Sequence, residues 1–160
     1  MKVKTGLGQD SHRFETEKTA KQLILGGVIF PDSPALEGNS DADVVLHTLA
    51  NGISGITGVN ILGAVSDKLC LEQGIADSRV YVEEALKHLN GWQICHVSFS
   101  LECKKPKISP RIAEMKQSIS QLLGLEPEDV CITATTGEGL TDFGRGLGIQ
   151  AFCIVTAVKN

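Results

Sequence analysis

The sequence has very few aromatic residues: one Trp, one Tyr and five Phe among 160 residues. Because hydrophobic residues make up 42% of the chain, the core must be built mainly from Ile, Leu, Val and Ala. A chain of this length can bury about two thirds of its unfolded surface around one core. We therefore expect residues 1–160 to form a single domain that folds without disulfides.

The sequence also lacks a basic run and a long apolar run. Nineteen acidic against fifteen basic side chains give a net charge of −4, and no Lys or Arg cluster is long enough to follow a nucleic-acid backbone. Residues 1–4 lack the apolar core of a signal sequence, and no stretch reaches the roughly 18 apolar residues of a membrane helix. These absences predict a cytoplasmic protein with no nucleic-acid or membrane partner.

Disulfide pairing is not expected, because the five cysteines are odd in number and none is spaced as C-x-x-C. Four of them lie in strand-like runs, where a free Cys behaves as a small hydrophobic residue. We predict that these four pack in the core: Cys95, Cys103, Cys131 and Cys153.

Hydrophobic periodicity predicts a mixture of strands and helices. Strands are predicted over residues 3–8, 22–30, 94–103, 130–135 and 150–158, the second with a bulge or bend at its glycine pair. Helices are predicted to begin at Ser40, Asp77 and Ser109, with an irregular segment over 59–75. This order indicates an α+β fold, an α/β sandwich in which helices cover one face of a mixed sheet. The uncovered face favours self-association.

An Asp-x-His pair near the N-terminus supplies the first candidate ligands. In an extended backbone, residues i and i+2 point to the same side, so Asp10 and His12 share one space. Ser40 is typical of a helix N-cap with Asp43 as its capping-box partner, which puts His47 one turn further along. One Asp and two His with an open fourth position form the donor set of a catalytic zinc. In the alternative interpretation, the three are ordinary turn, surface and helix-flank residues.

A second group of residues has the chemistry of a phosphate site. The strand that ends at Thr135 is followed by Thr136 and, two residues on, by Glu138. Hydroxyls and loop amides bind phosphate oxygens, and a nearby carboxylate can hold the magnesium that neutralises them. Lys107 precedes the third predicted helix, whose N-terminus suits an anion. Taken singly such residues are more often solvated surface; together they indicate phosphate binding.

Taken together, these motifs and several others resemble the 2-C-methyl-D-erythritol 2,4-cyclodiphosphate synthase family of the non-mevalonate isoprenoid pathway. They occur in the family's order and with similar spacing over essentially the whole chain. The matching segments are Gly8-Gln9-Asp10-Ser11-His12, Ile24-Leu25-Gly26-Gly27-Val28, Ser40-Asp41-Ala42-Asp43-Val44 through His47, Ala76-Asp77-Ser78, Pro106-Lys107, Ala134-Thr135-Thr136 and Gly144-Arg145-Gly146.

The resemblance implies a homotrimer of α/β subunits with active sites at the subunit interfaces. The family converts 4-diphosphocytidyl-2-C-methyl-D-erythritol 2-phosphate to a cyclic diphosphate and CMP, using the substrate's own 2-phosphate as the nucleophile. One Zn²⁺ per subunit would be held by Asp10, His12 and His47. Mg²⁺ or Mn²⁺ would bind with the substrate diphosphate, with Glu138 as a ligand.

The resemblance also implies a set of substrate-binding residues, of which Asn39 and Thr136 match catalytic positions. Arg145 matches the Gly-Arg-Gly turn near the trimer axis, although the Glu that often follows this turn is Leu147 here. The full set is Asp10, His12, Asn39, Ser40, Gly63, Lys107, Ala134, Thr135, Thr136, Glu138 and Arg145.

Two segments depart from the family pattern. Asn39 replaces a His that contacts the diphosphate. Ile61-Leu62-Gly63 and Ser66-Asp67-Lys68 replace the family's Asp-Ile-Gly and Phe-Pro-Asp, which hold the erythritol end, and leave Asn60 or Asp67 to substitute for the missing carboxylate.

Because the sugar end is altered, two further functions stay open. A zinc-dependent phosphohydrolase or cytidine-nucleotide-binding enzyme would keep the metal and nucleotide residues with a different sugar pocket. A trimeric binding module would use the same three ligands for a structural zinc, which requires a fourth protein ligand that the sequence does not reveal.

Overall fold

The computed structural model describes residues 1–160. Its six strands are β1 Lys2–Arg13, β2 Leu23–Leu25, β3 Val28–Phe30, β4 Gln93–Glu102, β5 Val130–Thr135 and β6 Gly148–Lys159. Its α-helices are α1 Val44–Thr57, α2 Ala64–Asp67, α3 Ser78–Leu86 and α4 Ile112–Leu123, and a π-helical turn at Lys68–Glu72 follows α2. None of these helices combines the length and the apolar character needed to cross a membrane.

Four strands form one mixed sheet in the order β1-β6-β4-β5, while β2 and β3 form a separate hairpin. Strand β6 is antiparallel to both of its neighbours, and β4 runs parallel to β5. Alternate residues of β6 from Ile149 to Ala157 are fully buried, as expected of a central strand. Helix α1 packs on the face to which they point, so the predicted α+β architecture is confirmed.

Helix α1 approaches the sheet closely because glycines occupy the contact. A Cβ atom on Gly8 would lie 1.9 Å from the carbonyl oxygen of Thr48, and one on Gly6 would lie 2.0 Å from that of Gly52. On the helix, a Cβ on Gly52 would lie 2.6 Å from Cγ2 of Val155 in β6. Contact at these distances requires residues without side chains, so the glycines set how near α1 comes to β1.

The start of α1 corrects the predicted helix boundary. The helix begins at Val44, and its N-cap is Asp43, whose carboxylate accepts hydrogen bonds from N–H groups of the first turn. Ser40, the predicted N-cap, lies in the turn before the helix. Asp43 takes over because its buried carboxylate can satisfy two of these N–H groups at once. The helix ends at Gly58, which adopts the left-handed conformation that glycine favours.

The predicted strand over residues 22–30 is in fact the β2–β3 hairpin. Gly26 and Gly27 have positive φ values of 60° and 76° and turn the chain back on itself. Two consecutive residues with positive φ form the tight turn that two-residue hairpins favour. The glycine pair is therefore a reversal of the chain rather than a bend.

The segment over residues 59–75 and the start of α4 also differ in detail from the sequence prediction. The irregular segment over 59–75 contains α2 and the π-helical turn. Ser109 starts a single 3-10 turn ahead of α4, and its side chain makes no capping bond, so its prediction as an N-cap is wrong. Gly124 ends α4 in the left-handed conformation.

The sheet face opposite α1, here called the uncovered face, carries exposed hydrophobic side chains. Val3 and Leu7 of β1 are 58% and 64% exposed, and Phe152 and Ile154 of β6 are 40% and 46% exposed. The register pairs Leu7 directly with Ile154, so these side chains are neighbours across the strands.

The strand cysteines divide between buried and exposed positions. Core packing is confirmed for Cys103 and Cys153 and is wrong for Cys95 and Cys131, which are exposed. Strand residues alternate between faces, and Cys131 pairs with Ser98, whose other partner is Ile154 of the uncovered face.

The glycine contact generates a stability prediction. We expect Gly8→Ala to lower the free energy of unfolding by about 2–3 kcal/mol, because the methyl group would meet the Thr48 carbonyl oxygen rather than a movable side chain. Gln9→Ala, the neighbouring change on an exposed side chain, should stay within about 0.5 kcal/mol. Urea unfolding of both variants makes the measurement, and equal stabilities would show that the contact is not tight.

Candidate metal centre and active site

Three side chains from β1 and α1 converge on one point. Asp10 Oδ2 lies 3.0 Å from His12 Nε2 and 2.9 Å from His47 Nδ1, and the two ring nitrogens are 3.2 Å apart. These are the three ligands expected from the sequence. No other group of three or more His, Cys, Asp or Glu side chains in residues 1–160 converges in this way.

Local structure explains the convergence. Asp10 and His12 are two residues apart on β1 and project from the face that α1 covers. His47 lies in the first turn of α1, and its backbone N–H donates to the Asp43 carbonyl oxygen at 2.9 Å. Because glycines bring α1 close to β1, the imidazole of His47 reaches the two β1 side chains.

The second nitrogen of each imidazole has a partner of its own. His12 Nδ1 lies 2.7 Å from the backbone carbonyl oxygen of Glu37, which can only accept, so the ring proton of neutral His12 belongs on Nδ1. His47 Nε2 lies 2.9 Å from the hydroxyl oxygen of Ser78. Metal-binding histidines typically donate their second N–H in this way.

The donor set fits a catalytic zinc. Ligand atoms about 2.0–2.1 Å from a tetrahedral zinc are about 3.3 Å from one another, close to the 2.9–3.2 Å between the three donor atoms. A structural zinc site is closed by four protein ligands, whereas three ligands leave a position for water or substrate. The cluster offers three protein ligands. It therefore favours an open site.

The electrostatics of the cluster also favour a cation. Burial by itself would raise the pKa of Asp10, but the hydrogen bonds and charges of His12 and His47 hold it well below its usual range. Burial opposes the charging of His12, yet the Asp10 carboxylate raises the His12 pKa above its ordinary value. The Asp10 carboxylate that favours the protonated form of His12 would also attract a divalent metal ion.

The cluster opens into a cavity of about 310 Å³. Asn39 and Ser40, two of the predicted substrate contacts, line this cavity. Of the two residues that could replace the family's carboxylate, Asp67 lines the cavity and Asn60 does not.

The altered loop forms one wall of this cavity. Gly63, a predicted substrate contact, lies at the start of α2 with a φ of 105° and is outside the lining. The Ser66 hydroxyl donates to the Gly63 carbonyl oxygen at 3.1 Å, which fixes the turn. Cys70 of the π-helical turn lines the cavity, and its thiol donates to the Asn39 carbonyl oxygen at 3.2 Å. The wall is thereby tied to the segment that carries Asn39.

Asp43 holds the N-terminal end of α1, the end that carries His47. Its buried carboxylate accepts hydrogen bonds from the N–H groups of Gly26 and Gly27 at 2.9 and 2.7 Å, in addition to those of the helix. Burial raises the pKa of Asp43 to about 6, although these N–H donors favour the ionised form. The carboxylate thus joins the hairpin turn to the helix that carries His47.

The predicted nucleotide residues lie at the far edge of the sheet. Thr135 ends β5, and its hydroxyl accepts a hydrogen bond from the N–H of Gly137 at 3.0 Å. Ala134, Thr136 and Glu138 are exposed in or beside this loop, and Lys107 is exposed in the segment between β4 and α4. Their polar groups are open to a ligand.

Arg145, predicted near a trimer axis, is held within its own turn. Its guanidinium pairs with the Asp142 carboxylate at 2.8 Å and donates to the Leu140 carbonyl oxygen at 3.3 Å. Leu140 and Leu147 beside it are 80% and 45% exposed, so this turn combines a cation with apolar surface.

The metal cluster and the nucleotide residues do not meet within one chain. Thr135 pairs with Glu102, Glu102 with Gln150, and Gln150 with Ser11, the residue between the two β1 ligands. Three strand spacings of about 4.8 Å amount to roughly 14 Å. The β1 ligands also face α1, whereas the Thr135 side chain belongs to the uncovered face.

The structure reveals contributors that the sequence does not mark. Glu37 acts through its backbone carbonyl, for which no side-chain signal exists. Asp41 and Ser78 occur in two of the matching segments, but they are 37 residues apart and only the fold shows that they are bonded to each other.

Known proteins are similar to this chain in sequence. The sequence model of the YgbB family matches residues 3–158. A 2-C-methyl-D-erythritol 2,4-cyclodiphosphate synthase from Chlamydia caviae is 48% identical over 157 residues, which cover 98% of this chain and 89% of that protein.

Solved structures share the fold. The bifunctional IspDF from Campylobacter jejuni matches 98% of this chain with a TM-score of 0.86 and 25% identity, and the chain spans 42% of that longer protein. A 2C-methyl-D-erythritol-2,4-cyclodiphosphate synthase in its CDP-bound form matches with a TM-score of 0.78 and 26% identity, covering 97% of this chain and 100% of that one.

Proposed function

Because this chain belongs to the YgbB family and is 48% identical to a 2-C-methyl-D-erythritol 2,4-cyclodiphosphate synthase, we propose that it is a metal-dependent, CMP-releasing phosphorus–oxygen lyase. It converts 4-diphosphocytidyl-2-C-methyl-D-erythritol 2-phosphate to 2-C-methyl-D-erythritol 2,4-cyclodiphosphate plus CMP. The observation that carries the proposal is the convergence of Asp10, His12 and His47 at the head of a cavity.

The reaction requires no protein nucleophile. An oxygen of the substrate's 2-phosphate forms a bond to the β-phosphorus, and the bond from that phosphorus to the bridging oxygen breaks. The electron pair of the broken bond leaves with CMP. The protein's tasks are to hold the two phosphates in line and to neutralise their charge, which suits a site whose candidate residues include no activated Ser or Cys.

Asp10, His12 and His47 would hold a zinc ion, and Glu138 would hold a magnesium or manganese ion that arrives with the substrate diphosphate. When bound, these metals polarise phosphoryl oxygens and stabilise the developing negative charge. Asn39 lines the same cavity, and its amide can donate to a diphosphate oxygen.

The β5 edge would bind the cytidine diphosphate portion of the substrate. The Thr135 and Thr136 hydroxyls and the loop amides donate to phosphate oxygens, and the Lys107 ammonium balances their charge. The Thr136 hydroxyl would donate a hydrogen bond to the phosphate group whose phosphorus is attacked. The CDP bound in the related synthase structure supports a cytidine ligand for this fold.

A complete site would then need two copies of the chain. The metal cluster and Thr135 lie at opposite edges of the sheet and on opposite faces. The uncovered face offers Val3, Leu7, Phe152 and Ile154, a patch suited to self-association. We therefore propose a homotrimer in which β1 of one subunit and β5 of its neighbour form each site, with Arg145 near the axis.

The altered loop would still recognise the sugar end of the substrate. Asp67 lines the cavity beside the metal cluster, and a carboxylate there would accept hydrogen bonds from the erythritol hydroxyls rather than bind a phosphate. A hydrolase with a different sugar pocket is the competing function.

The metal assignment generates a prediction. The parent protein should retain about one zinc per chain after dialysis, and the double variant His12→Ala, His47→Ala should retain almost none, because two of three ligands are removed. His88→Ala, a change at a histidine outside the cluster, should retain the full amount. Metal analysis by mass spectrometry measures the zinc content per chain, and full occupancy in the double variant would contradict the assignment.

The shared site generates a second prediction. CMP and CDP should raise the thermal midpoint, since a ligand at 100 times its dissociation constant adds about 2.7 kcal/mol, and AMP should do much less. Ile154→Asp on the uncovered face should abolish both trimers in sedimentation and the CMP effect. Ile29→Asp, a matched change at an exposed residue of the hairpin, should preserve both. A monomeric parent, or equal effects of AMP and CMP, would contradict the proposal.

The cavity generates a third prediction. Asn39→Ala should slow cyclisation at least about tenfold, equivalent to about 1.4 kcal/mol, whereas Asn39→His should stay within that range of the parent.

Asp67→Asn should raise KM more than it lowers kcat, because one carboxylate–hydroxyl contact is weakened. Asp32→Asn, an exposed acidic residue outside this cavity, is the control.

Product analysis in the same assay separates the two functions. The parent should release CMP together with the cyclic diphosphate. A linear hydrolysis product would instead favour the phosphohydrolase, and a fully active Asn39→Ala variant would show that Asn39 does not touch the diphosphate.

A further inference from the structure

We propose that Asp41 and Ser78 form a positioning pair that fixes the proton of His47 on Nε2 and thereby keeps Nδ1 free to bind the metal. This inference rests on the proposed zinc site but concerns residues that do not touch the metal or the substrate. Its basis is a directed chain of hydrogen bonds from the imidazole through the hydroxyl to the carboxylate.

The two ends of the chain are clear from the geometry. His47 turns Nδ1 toward Asp10, at 2.9 Å, and Nε2 toward the Ser78 hydroxyl oxygen, also at 2.9 Å. The Ser78 hydroxyl donates to Oδ1 of Asp41. Its backbone N–H donates to Oδ2 of the same carboxylate at 3.1 Å. Asp41 is therefore an acceptor on both oxygens toward Ser78.

The direction of the hydrogen bonds from His47 through Ser78 to Asp41 follows from the number of protons available. A hydroxyl has one proton, and an ionised carboxylate has none. Once the Ser78 proton is committed to Asp41, only a lone pair is left to face His47, and the Nε2 position must supply the proton of that bond. A neutral imidazole carries one ring proton, so donation from Nε2 leaves Nδ1 with a lone pair at the metal position, against the competing pull of the Asp10 carboxylate 2.9 Å away.

Without Asp41, the same hydroxyl could rotate and donate to Nε2. The ring proton would then move to Nδ1, between His47 and Asp10, and that nitrogen could not bind a metal. His12 does not have this ambiguity, because its partner is the Glu37 carbonyl oxygen, which has no proton to donate. The pair thus does for His47 what a backbone carbonyl does for His12.

The surroundings hold the pair in one arrangement. Ser78 is completely buried at the start of α3, and His47 is 8% exposed. The backbone N–H of Asp41 donates to the Ala76 carbonyl oxygen at 2.9 Å, and the N–H of Asp43 donates to Oδ1 of Asp41 at 3.0 Å. Asp41 therefore cannot turn away without breaking contacts to both neighbouring segments.

One other hydroxyl approaches the same nitrogen. Ser40 Oγ lies 3.4 Å from His47 Nε2, against 2.9 Å for Ser78. A contact of that length is at the weak limit of hydrogen bonding. Ser78 is thus the main partner of Nε2.

The test combines nitrogen-15 NMR of the histidine rings with zinc competition against a chelator. In the metal-free parent at pH 8, His47 should show the Nε2–H form. Ser78→Ala should weaken zinc binding by about 10–100-fold, the usual effect of removing such a partner. Asp41→Asn should weaken it as well and increase the Nδ1–H form. Ser120→Ala, a buried serine of α4, is the matched control and should bind zinc as the parent does.

Two results would overturn the proposal: an Nδ1–H form of His47 in the parent, or zinc affinity of Ser78→Ala within threefold of the Ser120→Ala control. Because the first measurement needs no variant, misfolding of Ser78→Ala would not remove the test. Failure of the parent to bind zinc would count against the metal site itself, and the NMR result would still decide the positioning role.

Discussion

The candidate metal centre depends on the contact between α1 and β1. Asp10 and His12 are fixed to a strand and His47 to a helix, so the three ligands meet only if the two backbones nearly touch. Gly6, Gly8 and Gly52 permit that approach by leaving no side chain between the backbones. Residues that carry no functional group therefore determine whether the functional groups meet.

The same constraint explains which parts of the fold and site could be predicted from sequence. Asp10 and His12 follow from the period of a strand alone, and β5 is found at its predicted boundaries. His47 could be paired with them only by donor type. The predicted start of α1 is wrong because Ser40 and Asp43 both have capping chemistry, and only burial at residue 43 decides between them.

Other features could not be predicted because they depend on long-range geometry. The choice between Asn60 and Asp67 rests on how a short helix and a π-helical turn orient the loop. Cys131 resembles a core cysteine in sequence, since an apolar strand does not show which of its faces a helix will cover, and Cys95 lies at an irregularity of β4 that the alternating pattern does not reveal. The pairing of Asp41 with Ser78 joins segments that are distant along the chain.

The carboxylate of Asp43 has a consequence for motion. It is bonded at once to the turn of the β2–β3 hairpin and to the first turn of α1. Segments that share a buried acceptor do not open independently, because separating them leaves several N–H groups without a partner in a dry interior. The hairpin has no side chain in the metal cluster, yet it belongs to the same cooperative unit. Loosening of the turn at Gly26-Gly27 would therefore increase disorder at His47.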